Sequence, residues 1–346
     1  MKSDQMRLLL AGLAAGDCIG SLVEHRPWSI VAERYERHKG AGWPFRAVAS
    51  GMWTEGEPTD DTDMAMAIIR AYWRATKWDP RVIAEKFAEW LQAGPKDIGA
   101  TTSVAINRYI SGASWFLAGR PHWERNPHNS ANGSLMRNGV VPAFATDELD
   151  LITKTVEHAI ITHFDPLSVL CCCIHSYLIW DLLHGRESVD WYEELRELWR
   201  TWESSGLSPE LQSWLTDVRT HPTAGDTLSM AWDYIEKNGA LLTTMPEERD
   251  FQAGQGYSFL TLRVAMWAAE WAMKGEPYTG IIPEPLPKEP FQETGARTLG
   301  WVAMLGYDAD TYGSCAGPLV AAVLGNLDGI ELGNLQALKE YDRERP

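Results

Sequence analysis

AGLAAGDCIGSLVEHRPW, residues 11–28, sits at the end of a helical apolar run expected over 5–22. Gly12, Gly16 and Gly20 are spaced four apart, which leaves one face of a helix without side chains and open to a close neighbour. Asp17 interrupts that apolar helix, and Glu24 follows where the chain leaves it. A helix that only packs in a core needs neither acid. The same 3.6-residue period recurs over 60–76, 80–93, 99–111, 133–145, 149–162, 166–184, 188–203, 209–219, 226–238, 256–274, 291–306, 309–325 and 331–343. Period-two alternation is nearly absent, so the expectation is an all-α fold, a compact bundle of roughly 13–15 helices. Gly and Pro punctuate the runs, and long connectors are expected at 25–58, 112–132 and 239–255, as binding loops or insertions. No repeat or composition break divides the chain, so one domain is expected over 1–346.

Of the 346 residues, 45% are hydrophobic and 23% charged, enough for a large core. Lys and Arg number 31 against 47 Asp and Glu, a net charge of -16, which argues against a nucleic-acid footprint because phosphate backbones select basic faces. The apolar N-terminal run is broken by Asp17 and lacks a cleavage pattern, and no stretch holds roughly 18 uninterrupted apolar residues. A cytoplasmic monomer without membrane contact is therefore expected. Five cysteines are an odd count. Cys171, Cys172 and Cys173 would point about 100° apart on a helix and cannot share one metal. Buried free thiols are expected for them and for Cys18 and Cys315. The 17 tryptophans, Trp267 and Trp271 among them, read as core packing.

PTDDTDMAMAI, residues 58–68, opens the second run. Thr59 is a good N-cap, and Asp60 and Asp61 complement a helix dipole, but a third acid adds repulsion unless something screens it. A matching set, Asp308-Ala309-Asp310-Thr311, heads the run at 309–325, whose Ala316, Gly317, Ala321 and Ala322 permit close packing. Pro318 should kink that helix or mark its start. If the two acidic helices pack side by side with like ends together, four carboxylates and two hydroxyls converge. Such an all-oxygen set suits two Mg²⁺ or Mn²⁺ ions and disfavours zinc. Two independent helix caps are the structural alternative.

GDCIGSLVE (16–24), PTDDTDMAMA (58–67), GPKDIGATT (94–102), NGSLMRNGVVP (132–142), THFDP (162–166) and DADTYGSCAG (308–317) follow in order. Together they resemble the ADP-ribosylglycohydrolase family, which includes the dinitrogenase reductase-activating glycohydrolase. The resemblance runs from about 5 to about 326, leaving 327–346 as a C-terminal helical extension. It implies an orthogonal helical bundle with a two-metal site at helix ends. Thr59, Asp60, Asp61, Asp308, Asp310 and Thr311 match the family's ligands for Mg²⁺ or Mn²⁺. Glu24 matches a glutamate on a loop at the metals, and Asp97 matches an aspartate at the scissile bond. Asp61 also counts among the catalytic candidates. Asn132, Gly133, Ser134 and Met136 fall in a loop that cradles the ADP-ribose phosphates. His163 resembles a histidine close to the ligand, with a satisfied core histidine as its alternative, and Tyr257 is a candidate adenine contact.

The resemblance implies a metal-dependent hydrolase that frees ADP-ribose from a modified side chain, with arginine favoured by Asp97 in its GPKDIG setting. The partner is then an ADP-ribosylated protein or a small ADP-ribose conjugate. Hydrolysis of O-linked serine adducts or poly-ADP-ribose is an alternative, as is a non-catalytic ADP-ribose-binding or structural relative. A dimetal phosphohydrolase on another helical scaffold would bring histidines into the set, and neither acid cluster contains one.

Overall fold

The computed structural model describes residues 3–186 and 190–346; the first two positions of the helix expected over 188–203 lie outside the described residues. The first half of the chain forms α1 (Ser3–Gly20), α2 (Trp28–His38), α3 (Asp60–Ala75), α4 (Pro80–Gln92), α5 (Ala100–Ile110), α6 (Arg120–Arg125), α7 (Glu148–Ile160) and α8 (Pro166–Leu183). The second half forms α9 (Trp191–Glu203), α10 (Pro209–Arg219), α11 (Thr227–Asn238), α12 (Glu248–Gly254), α13 (Ser258–Lys274), α14 (Thr298–Ala303), α15 (Ala309–Leu324) and α16 (Gln336–Glu344). Among the described residues, β pairing is confined to isolated bridges such as Ala131–Tyr257.

Several expectations change. The long connectors are not bare loops: α2 lies within 25–58, α6 within 112–132 and α12 within 239–255. The run at 133–145 is a series of turns ending in a 3-10 segment, Asn138–Phe144, because Pro142 withholds a backbone N–H. The run at 291–306 contains only the short α14, preceded by 3-10 turns at Glu289–Gln292 and Gly295–Arg297. Pro318 lies inside α15 rather than at its start. The carbonyl of Cys315, one turn earlier, accepts a hydrogen bond from His175 Nε2 at 2.8 Å.

The core is one contiguous hydrophobic cluster running from Met6 to Tyr341. α8 is long and apolar enough to cross a membrane by composition, yet 83% of it is buried within the fold. All five cysteines are buried and free. Trp267 packs in the core, and Trp271 meets Trp301 edge-on at 6.2 Å. α16 is tied back by paired contacts from Arg7 to Asp342 and from Arg70 to Glu340 and Glu344.

The central contact is between α1 and α15, which run antiparallel with backbone against backbone. A Cβ on Gly12 would overlap the Gly317 carbonyl, one on Gly16 the Gly313 carbonyl, and one on Gly20 the Ala309 carbonyl. The same holds in return for Gly313 and Gly317. The C-terminus of α1 and the N-terminus of α15 therefore share one end of the molecule. α15 does not lie along α3, as side-by-side packing of the two acidic helices would require. It meets α3 through Thr311 and Ser314, whose hydroxyls donate to Asp61 at 3.4 and 2.6 Å.

Gly16→Ala should destabilise the fold by about 3 kcal/mol or more in urea unfolding, since backbone cannot yield as a flexible side chain can. Gly40→Ala, where nothing lies within 4 Å, should change stability by no more than about 0.5 kcal/mol. A second prediction concerns Glu157, whose pKa burial pushes up to about 7 although Trp78 Nε1 donates to it at 2.8 Å. The folded state then holds a proton that the unfolded state has released, so this group lowers stability as pH rises from the ordinary carboxylate range through 7. Glu157→Gln should raise the melting temperature at pH 8, by about 1–2 kcal/mol of stability, and the gain should shrink toward pH 4.5.

Candidate functional site

Asp17 organises the first acidic turn. Fully buried on α1, it accepts from the Thr59 backbone N–H at 3.3 and 3.2 Å, from the Thr62 N–H at 3.2 Å and from the Thr62 hydroxyl. One helix thus supplies the carboxyl group that caps the N-terminus of another; burial pushes it up to about 7, against the pull of the Thr62 and Thr59 hydrogen bonds. Thr59 caps the same turn, accepting from the Asp61 N–H at 3.4 Å and donating to the Asp61 carboxylate at 3.3 Å. Asp63 turns away from the site and accepts from Trp90 Nε1 at 3.2 Å.

The second acidic turn is fixed by the chain leaving α1. Tyr307 N–H donates to the Arg26 carbonyl at 3.0 Å, and His25 N–H donates to the Tyr307 carbonyl. Tyr307 sits at φ 54°, after Gly306 at φ 62°, where a Cβ would strike the Arg26 carbonyl. This pairing carries Glu24 to the edge of the turn that presents Asp308 and Asp310. Asp308 accepts from Asn132 Nδ2 at 2.7 Å and from the Gly256 N–H at 3.1 Å.

These turns open on a cleft of about 370 Å³. Glu24, Asp60, Asp61, Asp97, Asp308, Asp310 and Thr311 line it, with Asn132, Gly133, Met136 and His163. Thr59 and Ser134 are buried outside its lining. Tyr257 instead lines a neighbouring cavity of about 250 Å³ with Asp165, Met230 and Tyr234. The side chain of Asn132, expected among the phosphate contacts, is committed to Asp308 and to the Thr261 hydroxyl at 2.9 Å.

Four aspartates of the cleft are buried, and all are pushed toward the protonated form. Loss of water is the main cause for each; for Asp60 the charges of Asp61, Asp97, Glu24 and Asp308 add to it. Burial lifts Glu24 to about 7, with Asp97 and Asp308 adding and His25 opposing. The one ion pair to these acids among the described residues is His25 to Glu24, at 3.2 Å. No group of three or more His, Cys, Asp and Glu side chains among the described residues is closed up as a metal-ligand set. Asp61 and Asp308 are met by hydroxyl and amide donors, whereas the Asp60 carboxylate has no hydrogen-bond donor among the described residues.

Several contributors escape a motif reading. Ser314 lies four residues after Asp310, on the same helix face, a spacing that could have marked it. Asp17 stood out only as an acid in an apolar helix. The first turn of α5, Gly99 to Thr102, lines the cleft with no side-chain cap on its free N–H groups. Arg137 is fully buried, stacks 4.5 Å from the Phe87 ring, and is pushed down to about 9 by burial, against the opposing pull of Cys172 and Asp60.

The sequence profile of the ADP-ribosylglycohydrolase family matches residues 2–345. The chain belongs to the ADP-ribosylglycohydrolase family. It is 27% identical over 274 residues to an ADP-ribosylarginine hydrolase, Tri1, of Serratia proteamaculans (strain 568), covering 77% of this chain and 62% of the relative. It is 32% identical over 192 residues to the ADP-ribosyl-[dinitrogen reductase] glycohydrolase of Rhodospirillum rubrum, covering 54% of this chain and 60% of the relative. The matches therefore span about three fifths of the length of these relatives. A solved structure, an ADP-ribosylglycohydrolase-related protein complex, shares the fold with a TM-score of 0.61 at 23% identity, covering 99% of this chain and 96% of that one. The family match also reaches past the last recognised motif into α16.

Asp17→Asn should cost about 1–3 kcal/mol, because an amide cannot accept from all the donors that converge on the carboxylate. Thermal unfolding of the purified protein checks this.

Proposed function

We propose that this chain hydrolyses the glycosidic bond between ADP-ribose and a modified protein side chain, with ADP-ribosylarginine as the preferred substrate. The observation that carries the reading is the convergence of Asp60, Asp61, Asp308, Asp310 and Glu24 on one cleft in a member of this family. A guanidinium leaving group is cationic, and an acid-lined cleft without an arginine or lysine partner among the described residues favours it over a neutral serine ether. The activity named for one relative, the ADP-ribosylarginine hydrolase of Serratia proteamaculans, agrees with that preference.

The donor chemistry fits hard divalent cations: aspartates raised by burial and mutual repulsion, threonine hydroxyls beside them, and an Asp60 carboxylate without a hydrogen-bond donor among the described residues. Thr59, Asp60, Asp61, Asp308, Asp310 and Thr311 would hold two Mg²⁺ or Mn²⁺ ions, which when bound neutralise the cluster and polarise ribose hydroxyls or water.

The chain's own groups bind and position the rest. The free N–H groups at the start of α5 suit the pyrophosphate. The neighbouring cavity, with Tyr234 and Tyr257 beside Asp165, suits the adenine ring and its amine. Asp97 stands on the loop before α5, with one oxygen accepting from the Ile98 N–H at 2.8 Å and the other without a protein donor among the described residues. In the reaction the bond from the anomeric carbon to nitrogen breaks and one to water oxygen forms, through an oxocarbenium-like state. The guanidinium leaves as neutral guanidine. Asp97 takes the proton from water and passes it to that guanidine, with Glu24 as the other candidate for this transfer.

Release of free ADP-ribose from Arg-linked and Ser-linked substrates, with and without Mg²⁺ or Mn²⁺, tests the reading. Arg-linked substrate should turn over faster, and only with metal. Asp61→Asn and Asp310→Asn should each lower turnover by on the order of 10²-fold or more and remove the thermal stabilisation given by metal. Full turnover in either variant would sink the two-metal assignment. Tyr257→Ala should weaken binding of ADP-ribose but not of ribose 5-phosphate, by titration calorimetry.

A further inference from the structure

The wall of the cleft behind Gly133 contains a chain of polar groups with only one consistent arrangement of hydrogens. Arg137 Nη2 donates to the Thr162 hydroxyl at 2.7 Å and to the His158 carbonyl at 3.2 Å. The Thr162 hydroxyl lies 2.8 Å from His163 Nδ1. Arg137, Thr162 and His163 are all buried, so no bulk water can substitute for a missing partner. A guanidinium only donates, so Thr162 Oγ must accept from it. Among the described residues, the one acceptor within reach of the Thr162 hydroxyl hydrogen is then His163 Nδ1. If His163 were protonated at Nδ1, that hydroxyl hydrogen would be buried without a partner, which costs about 1–3 kcal/mol.

We infer that Arg137 and Thr162 form a relay that fixes His163 as the neutral tautomer with its proton on Nε2. The Cε1–Nε2 edge of the ring faces Gly133: a Cβ there would lie 2.9 Å from Cε1 and 3.1 Å from Nε2. His163 and Gly133 both line the cleft, and no protein group among the described residues bonds Nε2. His163 therefore presents a single N–H donor to whatever fills the cleft at that point. Burial and the charge of Arg137 hold the ring neutral, so this donor does not become a cation near neutral pH. The ligand atom it selects is an acceptor without a proton of its own, a class that on the functional reading above includes phosphate and ether oxygens of ADP-ribose. Arg137 and Thr162 are positioning residues, acting through His163.

This inference rests on the functional reading only for the identity of the ligand. Nitrogen-15 NMR of histidine-labelled, ligand-free protein tests the relay directly. In the wild type, Nδ1 of His163 should resonate as a bare, pyridine-type nitrogen and Nε2 as a protonated, pyrrole-type nitrogen. Thr162→Val should return His163 to a mixture of tautomers, and Thr162→Ser should restore the single form. Calorimetric titration with ADP-ribose should show about twofold weaker binding for Thr162→Val, as an even tautomer mixture requires, and Thr162→Val should add no loss to a His163→Phe background. A protonated Nδ1 in the wild type, an unchanged tautomer in Thr162→Val, or additive losses in the double variant would overturn the relay. The expected tautomer in a wild type that binds no ADP-ribose would support the relay and remove the functional reading alone. Should Thr162→Val unfold, the wild-type spectrum still decides.

Discussion

The backbone contact between α1 and α15 is what the rest of the site depends on. Every fourth residue of α1 from Gly12 to Gly20 lacks a side chain, and Gly313 and Gly317 answer across the interface. The two helices consequently lie closer than any pair bearing side chains at those positions could. Asp17 projects from the same helix and receives the N-terminus of α3. A single element thus sets the positions of both acidic turns: one by holding an N-terminus, the other by direct packing. The loop that follows α1 adds Glu24 to the same rim.

That arrangement collects charge where charge is costly. Carboxylates that have lost water and face one another are destabilised in the ionised form, and the chain provides no arginine or lysine partner for them among the described residues. The hydroxyls of Thr59, Thr311 and Ser314 and the amide of Asn132 offset part of this cost. Stability that could have come from an apolar core is given up at one place, and such local conflict is characteristic of functional sites. The buried Arg137 lies behind the wall rather than among the acids. Its charge acts on Asp60 only at a distance, and its hydrogen bonds run through Thr162 to His163.

The fold class and most helix positions were legible because amphipathic period is a local property. Helices over 209–219 and 309–325 follow their apolar pattern almost residue for residue. α2, α6 and α12 were not legible, since short or strongly charged helices owe their existence to what they pack against. In α2 only Trp28, Val31 and Tyr35 are buried, too few to stand out in a charged segment. The run at 133–145 misled for the opposite reason: its residues are apolar because they are buried on every side, not because they face one way.

For the site, the motifs marked the acids, and their residue types already pointed to oxygen-ligand chemistry. The sequence by itself determined which carboxylates exist, that each acidic pair opens a helix, and that α1 carries a bare face. Only the tertiary structure decided that α15 pairs with α1 instead of α3, that Asn132 bonds an acid, and that Tyr257 lines a separate cavity from the acids. The reason is physical. A helix start is specified by a few adjacent residues, whereas the partner of a bare helix face or a buried carboxylate is chosen by every backbone competing for that space.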